Sequence, residues 1–358
     1  MCPGTERTEL ATPLSIPSRP PAPAAAGGGN SPSETLFQLV GRLALPLWGL
    51  TALSVADETG LLDALSEPTR IDSLAARSGL SPCYAEAIGD VLVAIGVAVR
   101  KGNTFTAVPT LAAALAGPAR QTLRADLRSN LLQSAAFLAD ARCRTIPSSW
   151  KHVDPLILAA QGLRSASLIT VWAEQLFPSL DGLIRRLEET GGRFLDVGTG
   201  VAALAIALCR RYPRVTGIGI DPWEPALRQA RQNVADAGLG SRIELRDARF
   251  EDFDEESCYD LIHVPATFFS SKVLQCGVDR ALAALRPGGW IVIQVLARSG
   301  AELLPSVTRL WCVLWGSDPI LPERVTEMLA RAGYGQATIA RLEEGPPIAH
   351  VVARRPQR

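Results

Sequence analysis

Beyond residue 190 the apolar positions switch repeatedly between a period of two, suited to strands, and a period of three to four, suited to helices. Arg193–Val197 predicts a strand that turns at Gly198 and Gly200 and runs into the apolar helix Leu204–Leu208. Val215–Ile220 alternates apolar and small residues, predicts a second strand and stops at Asp221, before the helical stretch Glu224–Ala237. A short strand, Ile243–Arg246, leads to Asp247 and Ala248, and Tyr259–Val264 predicts a fourth strand with Asp260 near its start. The turn Arg286-Pro-Gly-Gly289 introduces a fifth strand reaching Gln294. The helix Glu323–Ala332, stopped by Gly333, precedes two last strands at about Gln336–Leu342 and Ile348–Arg354. Strands alternating with helices predict a parallel sheet covered on both faces. The short turn Glu343–Pro347 suits an antiparallel final pair.

The first third follows a different pattern. Leu43–Ala56 is apolar or small nearly all round, and a helix without a polar face has to be covered. Its continuation toward Leu65 breaks at Gly60; then come a helix Ile71–Arg77 and a second helix that starts at Ser81-Pro82, a cap followed by a favoured first residue. Val97–Arg100 and Thr104–Val108 flank Lys101-Gly-Asn103, a hairpin signal. Helices followed by a small β-wing is the winged-helix order. The helix that would read DNA holds Glu86 and Asp90 and no Lys or Arg between Pro82 and Val99, so phosphate would repel it. Leu111–Ser179 is helical in pattern, with breaks near Gly117-Pro118 and Pro147–Ser149.

The chemistry-bearing positions lie at the ends of the later strands. Gly198-x-Gly200-x-x-Ala203 satisfies the dinucleotide-binding spacing, and Asp221 lies where a nucleotide-binding α/β domain holds a ribose hydroxyl. Asp221 followed by Pro222 also reads as a helix start, and both roles can hold together. Against a dinucleotide stands Asp196 at the end of the first strand, which would repel a pyrophosphate and attract a cationic ligand. The combination Asp196-x-Gly198-x-Gly200, Asp221, Asp247-Ala248 and Arg286-Pro-Gly-Gly289 resembles the class I S-adenosylmethionine-dependent methyltransferases from about Leu180 onward. The resemblance implies an α/β, Rossmann-like seven-stranded sheet with a C-terminal antiparallel hairpin, and S-adenosyl-L-methionine as cofactor. It further implies that Gly198 and Gly200 flank the methionine part, that Asp221 takes the ribose hydroxyls and Asp247 the adenine amino group, with Asp196, Pro222, Ala248 and Pro265 beside them. The third glycine often found in the first motif is Ala202 here, a small residue compatible with close packing.

The N-terminal segment resembles the winged-helix-like dimerisation domain of two-domain small-molecule O-methyltransferases, in which it interlocks with a second subunit. The resulting division is a Pro/Ala/Gly-rich disordered tail (1–34), a mostly helical dimerisation domain (35–115), a helical linker over the cleft (116–180) and a cofactor-binding domain (181–358). The linker would supply substrate contacts, with Trp150, His152, Gln161, Arg164, Trp172 and Gln175 as candidates, although Trp172 at helical spacing from Leu168 and Leu176 also suits the core. Phe268, Phe269, Trp311 and Trp315 suit an aromatic acceptor pocket; Trp311 and Trp315, four apart, share one helical face that fits a pocket wall or a dimer contact.

One departure concerns proton transfer. The resembling O-methyltransferases carry a catalytic histidine about nine residues after the aspartate of the fourth strand, and here that count from Asp260 reaches Phe269. Of the three histidines, His152 is in a loop-like stretch and His350 in the last strand, remote by topology; His263, at the carboxyl end of the fourth strand, is the best candidate for an acid–base or orienting role. The small base inventory suits an acceptor needing little help: an amine, an activated carbon or an acidic phenol. A non-methylating member of the fold, performing hydroxylation or decarboxylation, and a winged-helix DNA regulator are the rival readings.

Composition narrows the rest. Zero formal charge with 47% hydrophobic residues favours a filled core and disfavours an electrostatic grip on nucleic acid. The seven cysteines form no C-x-x-C pair and no zinc spacing with histidine, as expected of reduced thiols in a cytoplasmic protein that holds no metal. The most apolar window, Phe37–Ala56, contains Gln38, Arg42 and Pro46 and makes a poor membrane span. No signal-peptide pattern is seen at the start. The expected partners are a small-molecule substrate and a second copy of the chain.

Overall fold

The computed structural model describes residues 35–117, 119–142, 150–296, 303–342 and 348–357. The tail read over residues 1–34, the break at Pro147–Ser149 and the turn Glu343–Pro347 lie outside the described residues. The chain opens with α1 (Leu36–Glu58), capped by Thr35, whose side chain accepts from the Gln38 N–H while Gln38 reaches back. Next come α2 (Leu61–Ala64), β1 (Thr69–Arg70), α3 (Ile71–Ser78), α4 (Pro82–Ala94), β2 (Ala98–Lys101) and β3 (Thr104–Ala107). The three short strands form an antiparallel sheet in the order β1-β3-β2. This unit has its own core, built on Leu61, Leu65, Leu74, Leu92 and Phe105. The acidic face of α4 is paired internally: Arg100 of β2 bonds Asp90 and Glu86, each at 2.6 Å.

The apolar positions of α1 are not all covered. Leu36, Leu45 and Trp48 are 76%, 71% and 69% exposed, and Leu43 and Leu47 stand beside them in water. By length and composition Gln38–Glu58 and Pro155–Ser179 would each pass as a membrane span. The second packs against two other helices of the chain, Ala119–Arg142 and Ala203–Arg211.

Helix α5 (Pro109–Ala116) adds Leu111 and Leu115 to the first core; the linker then comprises α6 (Ala119–Arg142) and α7 (Pro155–Val171), which runs on into a π-helical turn at Trp172–Leu176. Asp154 caps α7 by accepting the Leu156 N–H at 2.8 Å, with Pro155 at the first position. After the short α8 (Leu183–Arg185), the remaining elements are β4 (Arg193–Val197), α9 (Ala203–Arg211), β5 (Thr216–Ile220), α10 (Glu224–Asp236), β6 (Ile243–Arg246), β7 (Tyr259–Pro265), α11 (Ser271–Ala284), β8 (Leu285–Leu296), α12 (Leu303–Leu314), α13 (Pro322–Ala332), β9 (Thr338–Ala340) and β10 (Ile348–Arg354).

Seven strands form one sheet in the order β6-β5-β4-β7-β8-β10-β9. The first five are parallel, and β10 runs antiparallel to both its neighbours. One face is covered by α11 and α13, through Leu274, Val278 and Leu329; the other by the Trp172 turn, α9 and α10. Asp260 anchors the amino end of β7 by accepting from Arg186, Arg286 and the Arg193 N–H at 2.7, 2.7 and 3.0 Å. The Arg286–Gly289 segment, expected as a turn leading into the strand, is instead an irregular first part of β8, with Gly288 at φ 73° and a register shift against β7.

Candidate active site

The site is built at the carboxyl ends of the parallel strands, where an open α/β sheet leaves a crevice. After β4 the chain turns through Gly198 and Gly200, with φ of 62° and 55°, in the left-handed region where a Cβ is costly. Ala202, in the place of the often-found third glycine, also adopts φ of 60° and enters α9 fully buried. The position therefore demands an unusual backbone conformation as well as small size, at a cost of about 1–2 kcal/mol for a residue with a Cβ. A Cβ on Gly200 would meet no atom within 4 Å, so the bend opens onto free space.

Asp221 ties this bend to the next strand. One carboxylate oxygen accepts the Gly200 N–H at 2.9 Å and the other the Trp223 N–H at 2.8 Å. Helix α10 itself begins at Glu224 after Trp223, so Asp221 steadies the approach to the helix without being its cap residue. Burial pushes the Asp221 acid up to about 6, the two backbone donors pull it back, and Asp196 and Asp247 push it up further.

Beside the bend, a row of buried polar side chains crosses one face of the sheet. Asp196 of β4 accepts the Thr199 hydroxyl at 2.7 Å and holds His263 Nδ1 at 2.8 Å. His263 Nε2 lies 3.1 Å from the Gln294 amide oxygen on β8. Turning that amide over lets its amine donate to His263, pairing a buried amine otherwise without a partner among the described residues. Both ring nitrogens of His263 are thus engaged by protein. The row continues to His350, which pairs in register with Gln294 and accepts the Trp172 indole N–H at 3.0 Å. Desolvation, aided by nearby His263, lowers the His350 pKa to about 4, so the ring is neutral.

Asp196, Thr199, Asp221, His263 and Gln294 border a cavity of about 640 Å3, within the usual ~300–1,000 Å3 of a small-molecule site. Gly198, Gly200, Asp221, Pro222, Ala248 and Pro265 line one part of it, with Asp196 and His263 at the base. The opposite part is aromatic. Phe268 and Trp315 stack at 4.7 Å, Trp311 and Trp315 at 6.1 Å, and Trp150 meets Phe268 edge-on at 5.3 Å. Helix α7 closes the roof: a Cβ at Gly162 would lie 2.3 Å from Val201 Cγ2, so only glycine lets the helix approach the bend this closely.

Most sequence candidates meet in this cavity: Phe268, Phe269, Trp150 and Trp311 line it, as do Gln161, Arg164 and Trp315. Four do not line it: Gln175, which is exposed, and three others. Trp172 is fully buried, 5.2 Å from the His263 ring, because a turn of π helix tucks its indole against the sheet. His152 stands behind Trp150 at 4.5 Å, and burial lowers its pKa. Asp247 is exposed, while its neighbour Ala248 lines the wall. His350 corrects the expectation of remoteness. An antiparallel strand starts at the end where its parallel neighbours finish, so His350 of β10 lands beside Gln294 and His263. Sequence reasoning passed over Trp223, directly after Asp221-Pro222, whose indole donates to the His152 carbonyl at 2.8 Å. It also passed over Gln294, a lone polar residue in an apolar strand, and Asp126 on α6.

Residues 194–289, β4 through the bend in β8, match the family described as "Methyltransferase domain". A 3-hydroxy-5-methyl-1-naphthoate 3-O-methyltransferase of Streptomyces sahachiroi is 29% identical over 297 residues, covering 76% of this chain and 81% of that protein. The fold is shared with a Burkholderia thailandensis O-methyltransferase family protein (TM-score 0.62, 15% identity, 90% of this chain and 99% of that one). It is shared as well with human N-acetylserotonin methyltransferase in complex with SAM (TM-score 0.61, 18% identity, 91% and 100%).

Proposed function

We propose, on the premise that the chain is a class I S-adenosylmethionine-dependent methyltransferase acting on a small molecule, that its acceptor is a flat aromatic compound methylated on a hydroxyl oxygen. The observation that carries this reading is the two-part cavity, with an acidic, glycine-bent half at the strand tips and an indole-walled half under α7. The relative that acts on a hydroxynaphthoate supports an aromatic hydroxyl acceptor.

The residues present fit the cofactor. Asp221 offers a carboxylate to two ribose hydroxyls, Gly198 and Gly200 leave room for the amino-acid part, and Pro222, Trp223 and Ala248 border the adenine side. The exposed Asp247 is close enough to bias Asp221 electrostatically, and its carboxylate is the acceptor assigned to the adenine amino group. When bound, S-adenosylmethionine supplies a methyl group on a positively charged sulfur, already an excellent leaving group. The protein's task is then alignment. The indole walls fix the plane of the acceptor, and holding reactants in line can supply up to ~7–11 kcal/mol of the barrier. Asp196 and Asp221 set a negative field suited to the cationic donor. With both ring nitrogens engaged, His263 acts as a positioning residue that holds Asp196 in place.

The uncovered apolar face of α1 is assigned to a second copy of the chain, with residues 35–115 as a winged-helix-like dimerisation unit and the whole a soluble cytoplasmic homodimer. The test of the activity uses purified protein, methyl-labelled S-adenosylmethionine and a panel of hydroxylated bicyclic aromatics, read by mass spectrometry. A mass gain of one methyl group with release of S-adenosylhomocysteine is the expected result. Cofactor binding with no methylated product from any hydroxyl acceptor would overturn the acceptor class and favour a non-methylating member of the fold.

A further inference from the structure

Three cations border the cavity among the described residues, and two of them, Lys151 and Arg249, are exposed. The third, Arg164 on α7, keeps only 15% of its side chain in contact with solvent. Its Nε bridges Asp126 of α6 at 2.8 Å, and its guanidinium carbon lies 6.0 Å from the Trp311 ring centre. A guanidinium carries five N–H donors in a rigid fork. Here the bridge occupies the Nε edge, and the two terminal amines have no hydrogen-bond partner among the described residues. Four of the five donors are thus left for water or a ligand at the edge of the cavity, on a side chain that is mostly withdrawn from solvent.

We propose that Arg164 recognises a carboxylate on the aromatic acceptor, making the substrate a hydroxylated aromatic acid. The inference rests on the acceptor class given above and names its second functional group. The pieces are complementary: indoles and Phe268 hold a flat ring system, and the terminal amines of Arg164 beside Trp311 present a parallel pair of donors to a planar anion. Asp126 does not forbid a second carboxylate on the same guanidinium. Arg246 in this chain already divides itself in this way, with Nε to Glu244 at 2.7 Å and one terminal amine to Glu255 at 2.6 Å. The Asp126 bond to Nε fixes the guanidinium so that the free fork is presented in one orientation.

The test is a matched comparison by calorimetry on the S-adenosylhomocysteine-loaded protein, using hydroxynaphthoic acids and the corresponding carboxamides as probes. Wild type binds the acid at least about tenfold more tightly than the amide, the gain of a charge-assisted bidentate pair over a neutral one. In Arg164→Met that preference disappears while amide and S-adenosylhomocysteine affinities stay within about threefold, and Arg164→Lys restores part of it. Equal affinities for acid and amide in wild type overturn the proposal without recourse to any variant. So does a preference that survives Arg164→Met. If S-adenosylhomocysteine binds but neither probe does, the acceptor assignment falls and the methyltransferase reading stands; if S-adenosylhomocysteine itself fails to bind, that reading falls with it.

Discussion

Asp221 offers the sharpest test of the proposed cofactor grip, because the carboxylate assigned to the ribose also serves the fold. Its two oxygens accept the Gly200 and Trp223 N–H groups at 2.9 and 2.8 Å, and its acid is raised from an ordinary 3.8 to about 6. Ribose hydroxyls donate to the ionised form, so binding pulls the proton off and affinity rises with pH through about 6. One unit below that value about a tenth of the molecules are ionised, so at pH 5 S-adenosylhomocysteine binds about tenfold more weakly than at pH 7.5. The same shift acts the opposite way on folding. Without ligand the ionised form is the costly one, so this residue's share of stability is present at low pH and lost as pH rises from about 4 to about 6. Asp221→Asn removes the charge and sets an amine against one of the two backbone donors. A hydrogen bond to a charged group contributes ~1.5–3 kcal/mol, so the variant loses about 10- to 100-fold in affinity at pH 7.5. It also loses the pH dependence. Calorimetry at pH 5, 6, 7 and 8 on both proteins measures this, since the ligand has no group that titrates in that interval. A wild-type affinity flat across the series, or a variant within twofold of wild type at pH 7.5, would refute the assigned contact.

Two further outcomes follow from the same geometry. His263→Asn lowers kcat by about tenfold with the shape of the pH–rate profile retained, because a ring held by Asp196 and Gln294 orients and does not abstract; a general base contributes ~10²–10⁴-fold, so a loss of several hundredfold with disappearance of the acidic limb would restore His263 as the base. The exposed stripe on α1 predicts a dimer at micromolar concentration by sedimentation, converted to monomer by Leu45→Asp with Leu47→Asp; a monomeric wild type would remove the interface.

The cofactor half was legible because its requirements are local. A glycine bend after an apolar strand and an acid at the end of the next are each fixed by a few adjacent residues, and the parallel register places Asp196 beside His263 and Gly219. Gly219 is small for a reason that spans the two strands: a Cβ there would lie 2.7 Å from the Thr199 hydroxyl. The acceptor half was only half legible. Aromatic residues at helical spacing announce a face but not what it looks at, and Trp172 and Trp311 read alike until a π turn sends one into the sheet and leaves the other on the cavity.

The hardest features to foresee were those in which separate segments meet. The order of segments along the chain says nothing of a strand inserted between two others, and that insertion carries His350 from the last strand to the side of Gln294. The Arg164–Asp126 bridge joins α7 to α6, and no spacing in either helix marks it, since charged residues on linker helices are ordinarily solvated. What singles out Arg164 is the combination of low exposure, one occupied edge and an aromatic neighbour, and only packing supplies all three. On the proposed reading, the cofactor contacts come from contiguous motifs, whereas recognition of the acceptor comes from contacts between helices. The acid-against-amide comparison at Arg164 probes the second kind of information while the Asp221 series probes the first, so the two experiments can fail independently.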